Sequence, residues 1–124
     1  MAKNKVFLNQ DGLIEIQVVG DQNAASIELM GRELDVLITR LKALDKPALV
    51  LDDLLQIGKV DAKGRKQVVD LGKNLNFDKL AMVGKGGLLR LGANLLLSAI
   101  GRGDKMRFFN DRAPAVEWLR EEAV

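Results

Sequence analysis

Three short stretches carry side chains whose types and spacing could do chemistry. Asp52-Asp53 ends an apolar run, at the place where open α/β sheets bind ligands, the carboxyl end of a strand. Two carboxylates there could hold a hard cation, with Asp61 close behind in sequence, or act as acid and base. Adjacent strand residues point to opposite faces, so the pair need not converge and one Asp can equally cap a loop. Gly84-Lys85-Gly86-Gly87 stands between a strand pattern and a helix pattern, the position of a phosphate cradle. Its backbone N–H groups and the helix start could hold an anion, with Lys85 adding charge. It lacks the Walker spacing, a hydroxyl after the lysine and the GxGxxG pattern, so a tight strand-to-helix loop is the plainer reading. The third stretch, Asp61-Ala62-Lys63-Gly64, opens a helix with Asp61 at its start.

What the chain lacks narrows the chemistry further. Histidine and cysteine are both absent. Their absence removes Ser-His triads, thiol catalysis, disulfides, and imidazole or thiolate metal sites. Ser26, Thr39 and Ser98 are the only hydroxyl side chains, and none has a histidine to activate it. No metal or cofactor is expected. A net charge of +2 and an aromatic content of 4% give no basis for a nucleic-acid partner. No signal segment is visible, because Met1-Ala2-Lys3-Asn4-Lys5 leads straight into a strand pattern. The apolar run at 88–100 is too short and too polar to span a bilayer. The expectation is a cytoplasmic protein of one domain, 1–124, with a surface that could still meet a membrane.

These stretches must be held by elements, and the patterning names them. Residues 5–9 and 13–19 read as strands joined at Asp11-Gly12, a short-range hairpin signal. Ile14, Ile16 and Val18 alternate with polar residues and face the core. Gly20 ends that strand, and Asp21 or Asn23 caps a helix over 24–44. In it Ile27, Met30, Leu34, Leu37, Leu41 and Leu44 form an apolar stripe. After Lys46-Pro47, the continuous apolar run 48–51 reads as a parallel strand covered on both faces. Residues 54–60 read as a loop, 61–75 as a helix with Val68, Val69, Leu71 and Leu75 inward, and 79–83 as another buried strand. A helix over 87–100, a strand over 105–109 and a final helix capped by Asp111 complete the chain, with Trp118 anchoring the last helix to the sheet. The order is β-β-α-β-α-β-α-β-α: an α/β fold with a mixed, mostly parallel sheet and an N-terminal antiparallel hairpin.

The 87–100 helix has more apolar surface than a sheet face can cover. Its only polar side chains are Arg90, Asn94 and Ser98, each four residues after the last. They share one narrow arc and leave about 240° apolar, where a helix on a sheet needs about 100°. The surplus has to meet an apolar ligand, a bilayer surface or another subunit. Leu88, Leu89, Leu95 and Leu96 are the candidate contact residues. Lys85, Arg90, Arg102, Lys105 and Arg107 around them could attract an anionic membrane, each worth about 1 kcal/mol near it. Equally, they could be solvated charges that keep an apolar region soluble.

The pieces resemble the STAS superfamily, and more closely its SpoIIAA-like branch. The resemblance rests on Ala48-Leu49-Val50-Leu51-Asp52 and on Phe77-Asp78-Lys79-Leu80-Ala81-Met82-Val83-Gly84. It is completed by Met106-Arg107-Phe108-Phe109 followed by Ala115-Val116-Glu117-Trp118-Leu119. STAS antagonists of anti-sigma factors carry Asp-Ser-Ser-Gly at a helix start and are phosphorylated on the second serine. The matching place reads Asp61-Ala62-Lys63-Gly64, with Lys63 in place of the acceptor. A phosphate switch needs a hydroxyl to esterify, so that mechanism cannot run here. The branch is similar in shape to lipid-binding domains, which implies association with an apolar ligand or a membrane surface. The reading that follows is a non-enzymatic binding module using the 87–100 helix. The alternative is a STAS-type regulatory interaction domain, with a protein partner, that lacks the phosphorylatable serine.

Overall fold

A computed structural model describes residues 3–121. Met1 and Ala2, placed ahead of the first strand in the leader reading, lie outside the described residues. The elements run β1 (Lys5–Leu8), β2 (Ile14–Gln22), α1 (Ala24–Ala43), β3 (Leu49–Val60), α2 (Ala62–Asn74), β4 (Lys79–Val83), α3 (Gly87–Ile100), β5 (Met106–Phe109) and α4 (Arg112–Arg120). They form one five-stranded sheet in the order β1-β2-β3-β4-β5. β1 pairs with β2 antiparallel, and the other pairings are parallel, as the element order predicts.

Strand alternation divides the core into two layers. Ile14, Ile16, Val18, Val50, Leu54, Leu80, Met82 and Phe108 face α1, α2 and α3. Leu13, Leu51, Ala81 and Val83 face α4 through Ala115, Trp118 and Leu119. α1 begins in a capping box, with Ser26 N–H donating to Asn23 Oδ1 at 2.9 Å and Asn23 N–H donating to Ser26 Oγ at 3.0 Å. Its buried stripe holds Ile38, whereas Leu44, expected inside, falls past the helix end and is exposed.

The largest departure from the sequence pattern is the length of β2 and β3. Residues 54–60 do not form a loop, and β2 does not stop at Gly20. Val19, Gly20 and Gln22 pair with Gln56, Ile57 and Val60, across two register shifts that carry the ladder forward. The shifts break the alternation on which a strand assignment relies, which is why 54–60 reads as irregular. The consequence is local: Leu54 and Ile57 stay in the sheet and pack with the core on the helix-covered face rather than leaving as a loop.

Glu15 sits on the α4 face, at the start of β2, and is almost fully buried. The Arg112 guanidinium grips it with both arms, at 2.7 Å to Oε1 and 3.2 Å to Oε2. Asn9 and Gln17 donate to the same carboxylate. These donors, Arg112 first, outweigh burial and hold its carboxyl below the usual carboxylate range. A group depressed in the fold stabilises it above the unfolded value near 4.5, and that contribution fades as pH falls through the lower folded value. Arg112→Ala should therefore cost roughly 1–2 kcal/mol at pH 7, the cost of leaving a buried acceptor without its half-exposed donor. The loss should shrink in urea unfolding at pH 3 to 4. An unchanged unfolding midpoint at pH 7 would show that the pair does not hold α4 to the sheet.

Candidate apolar binding cavity

Of the three helices on the first face, α1 packs on β1 and β2, while α2 and α3 do not close on the centre of the sheet. α1 and α2 meet where Gly31 admits Leu71, and α2 and α3 meet where Gly72 admits the Ile100 side chain. A Cβ at either glycine would collide with that neighbour, so the two contacts fix the spacing of the three helices. α3 rests chiefly on α2 and on the edge strand β5. Between it and the centre of the sheet lies a cavity of about 840 Å³. Its floor is Ile16, Val18, Leu54, Leu80, Met82 and Met106 from the sheet. The walls are Ile27, Met30 and Leu34 of α1, Val68 and Leu71 of α2 with Leu75 just past its end, and Leu89, Ala93, Leu96, Leu97 and Ile100 of α3. This volume lies in the usual range for small-molecule sites, about 300–1,000 Å³.

Four polar side chains line the cavity, and they are placed very differently. Lys59, Arg65 and Lys85 are exposed at its rim. Arg65 donates to the Val60 carbonyl at 2.7 Å, and Lys85 lies 3.5 Å from Asp111. Asp52 is in the floor. It lies in register with Ile16 on one side and Met82 on the other. Along its own strand Val50 and Leu54 share its face, and both are buried. Its Oδ1 is sealed from solvent with no hydrogen-bond partner. The rest of the side chain is partly accessible, through the cavity it lines. Burial, with Asp53 adding to it, pushes its carboxyl up to about 7.

The residues singled out in the sequence separate under this geometry. Asp52 and Asp53 diverge as strand neighbours must: the Asp53 side chain accepts from Leu55 N–H at 2.9 Å. Among the described residues no three acidic side chains gather into a cation site. On α3, Leu89 and Leu96 turn into the cavity and Leu88 stands at its exposed edge. Leu95 turns outward, with Leu91 on the same side.

The cations expected to be free beside α3 are largely engaged. Arg102 donates to the carbonyls of Gly72 and Leu75 at 2.8 Å each and stacks 4.3 Å over the Phe77 ring. It closes the end of α2 and belongs to the frame. Arg90 donates to Asn110 Oδ1 and lies over Phe108. Arg107 lies over Trp118 on the α4 side. Lys105 is exposed.

The loop 84–87 turns β4 into α3 with Gly86 at φ +103°, a conformation that favours glycine. Its Lys85 points to Asp111, at the start of α4, whose own side chain makes no cap bond there. In the segment 61–64, Asp61 Oδ1 accepts from Gly64 N–H at 2.7 Å, while Ala62 and Lys63 are exposed.

The architecture has a solved counterpart. A crystal structure of an uncharacterized protein of the DUF3478 family from Shewanella loihica, described as having a SpoIIAA-like fold, superposes with a TM-score of 0.65. The match spans 94% of this chain and 91% of that one, at 20% sequence identity. The fold is SpoIIAA-like. No family model matches the chain, and no curated protein matches it by sequence. Within this SpoIIAA-like frame no helix of the described residues is long and apolar enough to cross a membrane.

Asp52 has the opposite pH signature to Glu15. With a folded value near 7 against an ordinary 3.8, its ionisation is resisted by the fold, so stability falls as pH rises between those values. Asp52→Asn should raise stability by roughly 2–4 kcal/mol at pH 8 and far less at pH 4, since one pKa unit corresponds to about 1.4 kcal/mol. The other carboxylates titrate in both proteins, so the difference between the two urea curves isolates this group. An equal effect at both pH values would mean that the carboxyl is already solvated.

Proposed function

We propose that the chain is a non-enzymatic binding module that takes an apolar molecule into the cavity beneath α3. The observation that carries this reading is the cavity itself: about 840 Å³ with aliphatic walls and one polar side chain, Asp52, in its floor. Water in such a space finds few hydrogen-bond partners. An apolar occupant gains about 25 cal/mol for each Å² of its surface and the walls removed from water. Turnover would need a second reactive group beside Asp52, and the other polar side chains of the cavity are the three cations at its rim. The SpoIIAA-like fold also fits a STAS-type interaction domain. Ala62 and Lys63 offer no hydroxyl for a phosphate switch at the start of α2.

A second reading, contact with an anionic membrane surface, draws on Leu88, Leu91 and Leu95, which are 86%, 59% and 65% exposed. It has weaker support, because Arg102 is consumed by α2 and Arg90 by the β5 edge.

The two readings separate by mutation. Val68→Phe with Leu97→Phe fills the cavity and should lower the affinity for a neutral apolar dye such as Nile red at least about tenfold, while Leu95→Asp leaves it unchanged. If dye binding survives cavity filling and is lost in Leu95→Asp, the outer face of α3 is the binding surface and the cavity reading is wrong.

A further inference from the structure

The cavity reading leaves one group without a purpose. A carboxyl in the central strand of a sheet, between Ile16 and Met82, contributes nothing to an apolar core and costs stability when it ionises. Its Oδ1 has no donor from the protein. The cations that line the same cavity are exposed at the rim, where Lys85 faces Asp111 and Arg65 is bonded to the Val60 carbonyl. Asp53, on the opposite face of the same strand, adds negative charge next to it, and Arg112 is bound to Glu15. Among these groups, a second negative charge is close and a positive one is missing.

That arrangement selects among ligand head groups. A hydroxyl or amide would offer Asp52 a hydrogen bond but no charge. A carboxylate would add a further negative charge in an apolar space, at the least favourable place in the cavity. A basic nitrogen supplies both the donor and the missing charge, in the strongest class of hydrogen bond. We infer that the ligand is an apolar molecule with a single basic nitrogen, seated with its chain or ring among the α1–α3 side chains and its nitrogen on Asp52. This inference rests on the cavity reading and adds to it the chemistry of the head group. No carbon bond is made or broken: the charged amine meets the carboxylate, and where the carboxyl was protonated its proton leaves to water as the pair forms.

The pH dependence follows from the groups on the page. Alkyl amines are protonated below about pH 10, like a lysine. Asp52 titrates near 7 in the free protein. The ion pair forms when the amine is charged and the carboxyl has lost its proton, so affinity should rise with pH up to that value and level off above it. The other charged groups around the cavity are Lys59, Arg65 and Lys85 at its rim, with Asp53 and the Glu15–Arg112 pair on the opposite face of the sheet.

The test compares octylamine, octanol and octanoate as competitors of Nile red, on the wild type at pH 5.5 and pH 8, and on Asp52→Asn. Octylamine should compete at a concentration at least about tenfold below the other two at pH 8, and its lead should narrow at pH 5.5. Asp52→Asn should bring octylamine back to the level of octanol while octanol itself is unchanged. Equal competition by the three heads, or a lead for octanoate, overturns the inference while leaving apolar binding in place. Failure of Nile red and all three octyl compounds to bind overturns the cavity reading together with it. The head-group order and the pH arm need only the wild type, so a folding defect in Asp52→Asn would not remove the test.

Discussion

A carboxyl group at the centre of a sheet has to be solvated by something, and much of this structure is arranged around the absence of a protein group to do it. Asp52 lies in a row that runs Val6, Ile16, Asp52, Met82, Phe108 across all five strands. The helix layer stands off from this part of the sheet, with α3 carried on α2 and the sheet edge, and the space left is of ligand size. The exposure of Leu88, Leu91 and Leu95 follows from the same displacement: a helix that rests on neighbours at its side shows more of its apolar circumference to solvent.

Holding a cavity open requires a frame that does not collapse into it, and charged groups supply much of that frame at the periphery. Arg102 takes the free carbonyls at the end of α2 and lies flat on Phe77. Asp78 receives both Lys42 from α1 and the Ala48 N–H at the start of β3, tying three elements at one corner. Lys79 closes the end of α4 through the Trp118 and Glu121 carbonyls. With Glu15 and Arg112 on the far face, α1, α2 and α4 are each pinned by a polar contact or cap at one of their ends. α3 begins at Gly86 without a side-chain cap and ends at the left-handed Gly101.

The frame was legible in the sequence because its signals are local. Asp11-Gly12, Asn23, Asp61 and the glycines around α3 mark boundaries within a few residues of where they act, and the strand–helix alternation dictates parallel pairing. What stayed hidden depends on distant partners. The continuation of β3 through 54–60 is imposed by β2 across two register shifts, and Glu15 is buried only because a helix starting 97 residues later covers it. The surplus of apolar surface on α3 could be counted from Arg90, Asn94 and Ser98, yet counting could not divide it into Leu89 and Leu96 inside and Leu91 and Leu95 outside. Asp52 was visible as a carboxyl in phase with Val50, but its isolation shows only when Leu54 is seen as strand.

The central claim is that an apolar molecule enters between α3 and the sheet, and intermolecular nuclear Overhauser effects address it most directly. With octylamine bound to the methyl-labelled protein, the account predicts contacts from its chain to the methyls of Ile16, Met82 and Leu97, which line the cavity. Contacts confined to Leu91 and Leu95, on the outer side of α3, would contradict it and place the apolar partner on the surface of the helix.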